Sequence, residues 1–323
     1  MALTSLYYLA FLLAAAHLGQ CHFAFVRVAV NGEWHEPFRY VRNKTSPYFE
    51  DWTPGQNFNS RAYIDPAYAT DRPESVRCGR GNMDHAADTD VLVVKAGDEL
   101  EMAHVRYSPE DLGFVVWEDC PHERGSCVKY AGSDKLDIMD INHPGPFLAH
   151  LSKVPEGKDV TEYDGSGDWV KIYTLGIGKQ DNPDQPYHYL AWNGPTHYDE
   201  NGVWTYSLPG RFLFNIPKQT PAGQYLLRLD MSWPSIRNED GTTLTQSQIY
   251  ATCAQIEVVN DDPEAASALP EGIRFPEDYT DDAPGMHTSA DMNDGLIIDP
   301  DYVYAGGKLW DGVNYVQDKP ELD

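Results

Sequence analysis

The stretch QSQIYATCAQIEVV, residues 246–259, combines a strand pattern with polar groups that a core strand does not need. On a β-strand, Gln248 and Tyr250 point to one face, while Ile249, Ala251 and Cys253 point to the other. The alternation predicts a buried cysteine on one face, and a phenol beside an amide on the other. A buried tyrosine with a satisfied hydroxyl fits the same pattern, so this stretch alone leaves both interpretations open.

Other β-rich runs precede this stretch, and no helical periodicity persists between them. They are residues 25–30, 90–94, 113–117, 168–173, 211–216 and 224–231. Because turn clusters of Gly, Pro, Asn and Asp separate runs of β-branched and aromatic residues, we expect an all-β antiparallel sandwich with long surface loops.

The two ends of the chain differ from this β-rich middle. Residues 1–21 contain no Asp, Glu, Lys or Arg, and their apolar run is too short to span a bilayer, which is typical of a signal peptide. Cleavage after Cys21 would give His22 a free α-amine, whereas cleavage a few residues away would leave His22 an ordinary strand residue. We expect a β-sandwich domain over residues 22–262. Residues 263–323 are acidic and are predicted to be an extension that partly wraps the domain and is partly disordered.

Charge and cysteine content restrict the partners and the compartment. A net charge of −26 argues against nucleic acid, an anionic membrane surface or an acidic polysaccharide as a partner, but not against a neutral polysaccharide. Of five cysteines, four remain after removal of residues 1–21, which predicts two disulfides in a secreted protein. Asn43, Lys44 and Thr45 form a glycosylation sequon, so Asn43 is the expected acceptor.

A second histidine lies in a proline-rich loop, NHPGP, at residues 142–146. Pro144 pushes the backbone of His143 towards an extended conformation, and Pro146 stiffens the loop further, so the imidazole is held in one orientation. A rigid loop histidine suits a metal ligand, and it equally suits a histidine that is simply hydrogen-bonded.

Several ordered segments together resemble the fungal lytic polysaccharide monooxygenases of auxiliary-activity family nine, copper enzymes once classed as glycoside hydrolases. The segments are His22, VNG at 30–32, VKAGD at 94–98, HPGP at 143–146, LSKVP at 151–155, GDWVKIY at 167–173, PAGQYLLR at 221–228, residues 248–256, LPEGI at 269–273 and YTD at 279–281. The resemblance covers roughly residues 22–286. It implies an immunoglobulin/fibronectin-like β-sandwich and a secreted enzyme, expected to be a monomer.

The resemblance also implies a copper site. The amine and ring of His22 and the ring of His143 would bind one copper ion, which suits imidazole ligation. Tyr250 would occupy the axial side, and Gln248 would be a donor beside the metal; both are assigned catalytic roles. Dioxygen or hydrogen peroxide would be the co-substrate, with a small-molecule or protein reductant as electron donor. The substrate would be cellulose or a related β-glucan or hemicellulose, cleaved by oxidation.

By the same resemblance, Cys78 is expected to pair with Cys253 over a long loop. Cys120 and Cys127 bracket a short loop, and we expect a local bridge between them.

Two departures from the family pattern concern turnover. Ser235 falls where relatives carry a histidine near the copper, and a serine cannot act as a cationic proton donor; Ser235→His is therefore expected to raise turnover unless another histidine, such as His104, takes the role. No aromatic residue occurs at 286–291, where relatives have a tyrosine that stacks on the sugar chain. The alternative function is a secreted copper-binding β-sandwich that binds metal or a wall polysaccharide without cutting it. A hydrolase with paired carboxylates is disfavoured because no motif places an acid.

Overall fold

The computed structural model describes residues 22–44, 64–105, 115–118, 127–130, 132, 134, 136–138, 143–179, 190–192, 196–198, 204–207 and 212–320. The strands are, in chain order, β1 (Ala24–Val30), β2 (Glu33–Trp34), β3 (Leu92–Lys95), β4 (Glu99–Val105), β5 (Val115–Glu118), β6 (Cys127–Tyr130), β7 (Leu136–Ile138), β8 (Phe147–Lys153), β9 (Val170–Leu175), β10 (Ile177–Lys179), β11 (Leu190–Trp192), β12 (Thr196–Tyr198), β13 (Trp204–Ser207), β14 (Phe212–Asn215), β15 (Gly223–Trp233), β16 (Ser235–Arg237), β17 (Gln248–Ile249), β18 (Thr252–Val259), β19 (His287–Ser289), β20 (Leu309–Trp310) and β21 (Tyr315–Val316). Two short α-helices, α1 (Pro73–Cys78) and α2 (Ala290–Asn293), and 3₁₀ segments at Asn82–Asp88 and Val160–Glu162 complete the described elements.

Two sheets form the sandwich. The larger has the order β21-β20-β9-β8-β15-β18-β3, with β17 pairing the end of β15, and the smaller has the order β14-β4-β1-β2. Most pairs are antiparallel, while β3 runs parallel to β18 and β20 parallel to β9. The expected β-sandwich is therefore confirmed, with parallel pairs at both sides of the larger sheet.

The core forms where the apolar faces of the two sheets meet. Alternate residues of β15 (Leu227, Leu229 and Met231) pack into one buried cluster with Phe23, which precedes β1, and with Phe25 of β1 in the smaller sheet. This is the period-2 burial that a half-apolar strand requires. Because the aromatic end of this core lies directly beside His22, packing fixes the position of the chain's first described residue.

The stretch at residues 246–259 is interrupted rather than continuous. Gln248–Ile249 form β17, Thr252–Val259 form β18, and Tyr250 lies between them. Cys253 at the start of β18 forms the expected disulfide with Cys78 at the end of α1. Cys127 is also disulfide-bonded; Cys120 lies outside the described residues, so its pairing with Cys127 stays a prediction.

The acidic C-terminal segment is described through residue 320 and contributes β19, α2, β20 and β21. A buried ion pair, Lys171 Nζ to Asp318 Oδ2 at 2.6 Å, holds its far end on β9. Burial of tyrosines and of this pair gives the segment more regular structure than its composition predicts. Within the described ranges, no helix is long and apolar enough to cross a membrane.

Candidate metal centre

His22 precedes β1 and lies at the edge of the sandwich. Its side chain is 33% exposed, and its Nδ1 lies 2.6 Å from Asp65 Oδ1, whose side chain is also 33% exposed. The interaction between this partly exposed imidazole and one carboxylate stabilises the position of His22 only modestly, because solvent screens such pairs. Asp65 had no signal in the sequence, since 43 residues separate it from His22 and no motif marks it.

His143 is held from the backbone side by its own loop. The carbonyl of Pro146 accepts a hydrogen bond from the Ser232 N–H at 3.2 Å, so the loop lies against the end of β15. Gly145 has φ +152°, and a Cβ there would collide with the carbonyl of Ser232. This close approach explains the glycine between the two prolines.

The His143 imidazole itself is buried, with 8% of the residue exposed. Burial, and next the charge of nearby His22, lower the pKa of His143 to about 3. The ring is therefore neutral at physiological pH, which is the protonation state of a metal ligand. Its Nε2 is buried without a hydrogen-bond partner. An unpaired buried nitrogen is costly, and a bound metal would satisfy it.

Tyr250 brings the two histidines together with Gln248. Its hydroxyl donates to Gln248 Oε1 at 2.7 Å, so the phenol and the amide meet as the alternation predicted. The ring centroids of His22 and His143 are 5.9 Å apart, those of His22 and Tyr250 5.9 Å, and those of His143 and Tyr250 5.4 Å. Phe23 stacks on Tyr250 at 4.7 Å and 14°. The aromatic core thus sets the position of the phenol between the two imidazoles.

A tryptophan also contacts this site. Trp233, the last residue of β15, stacks on the His143 ring with centroids 4.3 Å apart and an interplanar angle of 20°. It is also the register partner of Gln248. Trp233 lies two residues before the divergent Ser235, within a segment that resembles the family, and that position was the available signal in the sequence.

A charged cluster adjoins the His22 side. Arg80 Nη2 donates to Asp71 Oδ2 at 2.6 Å, and both side chains are nearly buried. Burial, and next the charge of Arg80, lower the pKa of Lys44 to about 7, while Asp65 acts in the opposite direction. Asp65 thus lies near a buried lysine that is only partly protonated at neutral pH, while Arg80 is paired with Asp71.

Neither Ser235 nor His104 is placed to supply protons to the site. Ser235 is fully buried, and its hydroxyl donates to the carbonyl of Met286 at 3.1 Å. His104, the alternative proton donor, is fully buried and packs edge-on against Phe23 and Phe25 at 5.4 and 6.1 Å. Its place in the aromatic core gives it no access to solvent from which to draw protons.

Some predicted features stay outside this geometry. Asn43 is half-buried, and its side-chain carbonyl accepts from the Lys44 N–H at 2.8 Å. Thr45 and residues 1–21 lie outside the described residues, so glycosylation and cleavage stay predictions. Across the described ranges, no three His, Cys, Asp or Glu side chains gather around one point. Two imidazoles and one main-chain amine would not form such a group, so this is compatible with the expected ligand set.

Comparisons with known proteins agree on one family. The family model for Auxiliary Activity family 9 (formerly GH61) matches residues 22–295. The AA9 family lytic polysaccharide monooxygenase U of Thermothielavioides terrestris is 28% identical over 316 residues, covering 95% of this chain and 99% of that protein. Monooxygenase D of Emericella nidulans is 28% identical over 305 residues, covering 92% and 83%. The solved structure of CvAA9A gives a TM-score of 0.51 at 18% identity over 93% of this chain and 100% of its own, a likeness of fold.

Proposed function

The chain belongs to Auxiliary Activity family 9, and from this premise we propose that the amine and ring of His22 and the ring of His143 hold the copper of a polysaccharide monooxygenase. The family's members are copper-dependent oxidoreductases that act on polysaccharides. The observation that carries the assignment of residues is the buried, unpartnered Nε2 of His143, with its ring centroid 5.9 Å from that of His22.

The donor set fits copper. Copper(II) favours nitrogen and oxygen ligands in a tetragonal arrangement, and a neutral imidazole and an unprotonated amine supply them. When bound, copper supplies one-electron redox chemistry that, with dioxygen or hydrogen peroxide and an external reductant, oxidises a carbon at the glycosidic link. Tyr250 closes the buried side of the site. Its hydroxyl donates to the Gln248 side-chain carbonyl at 2.7 Å, which leaves the Gln248 amide N–H groups as donors at the site where the copper would be held.

The amine ligand requires a processed N-terminus. We propose that residues 1–21 are a signal peptide removed after Cys21, because an amide nitrogen in an uncleaved chain is a poor ligand. The family match begins at His22, which supports this position.

The proposed substrate is a neutral polysaccharide, cellulose or a related β-glucan or hemicellulose. A net charge of −26 repels acidic polysaccharides and does not affect neutral ones. We further propose that the enzyme acts as a monomer with a small-molecule or protein reductant.

One observation favours the second candidate, a copper-binding protein without turnover. The Ser235 hydroxyl donates its hydrogen bond to the Met286 carbonyl at 3.1 Å, and so it offers no proton to the site. The two candidates share the copper ligands and differ only in whether oxidised products form.

The test uses chain beginning at His22, the same chain with one glycine before His22, and His143→Ala. Loss of the free amine or of the imidazole should each weaken copper(II) binding by about 100-fold or more, since even outer contacts are worth ~10–100-fold. Copper-loaded protein is then incubated with glucans, ascorbate and hydrogen peroxide, and the products are identified by mass. Equal copper affinity of the glycine-extended form would refute the ligand set; tight copper binding without oxidised oligosaccharides would establish the second candidate.

A further inference from the structure

We propose that Trp233 and Asn293 form a clamp on the His143 imidazole, so that the C-terminal segment is part of the support of the metal site. The proposal rests on His143 being a ligand, as proposed above. Trp233 contacts the imidazole of His143, the proposed metal ligand, and Asn293 acts through Trp233, so both are positioning residues.

The stack with Trp233 restricts the orientation of the imidazole. Trp233 covers one face of the ring at 4.3 Å and 20°, while Tyr250 contacts the same ring at 5.4 Å and 27°. Both contacts depend on the plane of the imidazole, because both neighbouring rings lie within 27° of parallel to it. Rotation of His143 about its Cβ–Cγ bond, which would redirect Nε2, therefore has to break both contacts.

Trp233 is in turn fixed by a residue 60 positions later. Its indole N–H donates to Asn293 Oδ1 at 2.9 Å, and both residues are half-buried. A stacked indole without this bond could slide over the imidazole or swing towards solvent. The hydrogen bond gives the indole a defined position, because Trp has a single donor and Asn293 receives it.

Asn293 is placed by the packing of α2. Its neighbour Met292 is fully buried in a cluster with Trp192, Tyr302 and Tyr304. The Ser289 hydroxyl accepts from the Met292 N–H at 3.1 Å and donates to Asp299 Oδ1 at 2.5 Å. The position of Asn293 thus depends on residues beyond 295, where the family match ends.

A second connection fixes the distance between the tail and Trp233. β16 pairs in parallel with β19, with Ser235 opposite His287 and Arg237 opposite Ser289. The chain leaving Trp233 and the chain entering α2 are therefore neighbours in one small sheet. The hydrogen bond from Trp233 to Asn293 closes a short loop of contacts rather than bridging two loosely associated segments.

This arrangement has a measurable consequence for metal binding. The stack is present before the metal binds, so it changes copper affinity only by holding Nε2 in the binding direction. Removing that restraint reduces the fraction of protein that is competent to bind, and the apparent affinity falls by the same factor. A residue that served only to fill space would change stability and leave the affinity unaltered.

The experiment measures copper(II) affinity by competition, and the electron paramagnetic resonance spectrum of the bound ion, for Trp233→Phe, Asn293→Leu and the double variant. Each single change removes the same hydrogen bond, so each should weaken affinity by about threefold to tenfold, and the double variant by no more than the larger single. The spectra should broaden or shift in all three. Asn293→Asp keeps an acceptor oxygen and should restore both readouts.

Trp34→Phe is the matched control, because Trp34 pairs with Ala29, seven residues along the chain from His22 or about 23 Å at ~3.3 Å per residue. It should leave affinity and spectrum unchanged, and thermal melting checks that every variant is folded. Wild-type affinity and spectrum in Asn293→Leu, or additive effects in the double variant, would overturn the clamp. Unchanged affinity in His143→Ala would instead overturn the proposed metal site, so the two failures are distinguishable.

Discussion

The two histidines of the candidate metal centre are held by different forces. His143 is 8% exposed, stacked on Trp233 and fixed by a loop that presses on β15. His22 has a third of its side chain in solvent and is held by Asp65 at 2.6 Å. The comparison shows that burial and stacking hold His143 in place before any metal binds, and that His143 is held more firmly than His22. The His22 side is anchored weakly and depends on charge.

The largest expected effect comes from breaking the backbone contact on the His143 side. Gly145→Ala should lower the free energy of unfolding by about 3–5 kcal/mol, because the new Cβ meets the Ser232 carbonyl and the φ of +152° is strained for alanine. Chemical denaturation measures this, together with copper affinity of the folded fraction.

The control for Gly145→Ala is Gly157→Ala. Gly157 also has a positive φ, +82°, but a Cβ there meets nothing within 4 Å. Only the cost of the backbone conformation, ~1–2 kcal/mol, should remain. If both variants lose the same amount, the contact with Ser232 is not what holds the loop.

The second effect is a pH dependence of the apo protein. The pKa of His143 is about 3 in the folded chain against an ordinary 6.5, so the unfolded chain binds more protons between those values. His143 therefore contributes its full stabilisation above pH 6.5, and this contribution is lost as pH falls towards 3. By pH 4 the loss amounts to roughly 3 kcal/mol of the free energy of unfolding. Denaturation of metal-free protein from pH 4 to 8 should show stability rising with pH.

His143→Gln should flatten part of this slope, since glutamine does not titrate. His150, which is fully buried and whose pKa burial also lowers, contributes to the remainder, and Lys44, whose pKa burial lowers to about 7, contributes above pH 7. An unchanged slope in His143→Gln would mean that the imidazole is solvated in solution, and the contrast between the two histidines would fail.

The sequence predicted the fold and the meeting of Tyr250 with Gln248 better than it predicted the residues that hold the site in place. Alternation at residues 224–231 and 252–259 follows directly from strand geometry. Tyr250 meets Gln248 as expected, although it lies between β17 and β18 and not within one continuous strand. Asp65 and Asn293 reach the site across 43 and 60 positions, and no periodicity links residues that far apart. The individual contacts of residues 263–320 have no signal in the sequence either, because an acidic composition does not reveal that Lys171 and Asp318 form a buried ion pair.

A third, smaller effect concerns the divergent serine. From sequence alone, Ser235→His is expected to raise turnover, but the buried Ser235 hydroxyl donates to Met286 and leaves no room for an imidazole. Ser235→His should instead disturb the pairing of β16 with β19 and lower the free energy of unfolding by about 2 kcal/mol, without more oxidised product. Ser235→Ala, which loses only one hydrogen bond, should cost ~1 kcal/mol. A stable Ser235→His variant with higher product yield would contradict this expectation.

The smallest effect is expected on the exposed side, at Asp65. Asp65→Asn keeps the shape of the side chain and removes a negative charge next to His22 Nδ1. The amine and the ring of His22 can bind one ion together only through Nδ1, the atom that Asp65 contacts, so removing the negative charge should tighten copper(II) binding. Because each partner is a third exposed, the pair is worth at most ~1 kcal/mol, and the gain should be no more than about fivefold. The difference between Asp65→Asn and wild type should shrink as salt rises from low to moderate concentration, since exposed charges are screened. Isothermal titration with copper(II) at two salt concentrations measures both. Weaker binding in Asp65→Asn would show that the carboxylate supports the His22 ring instead of competing with the metal for Nδ1, and a loss far beyond fivefold would show that the His22 side is as strongly anchored as the His143 side.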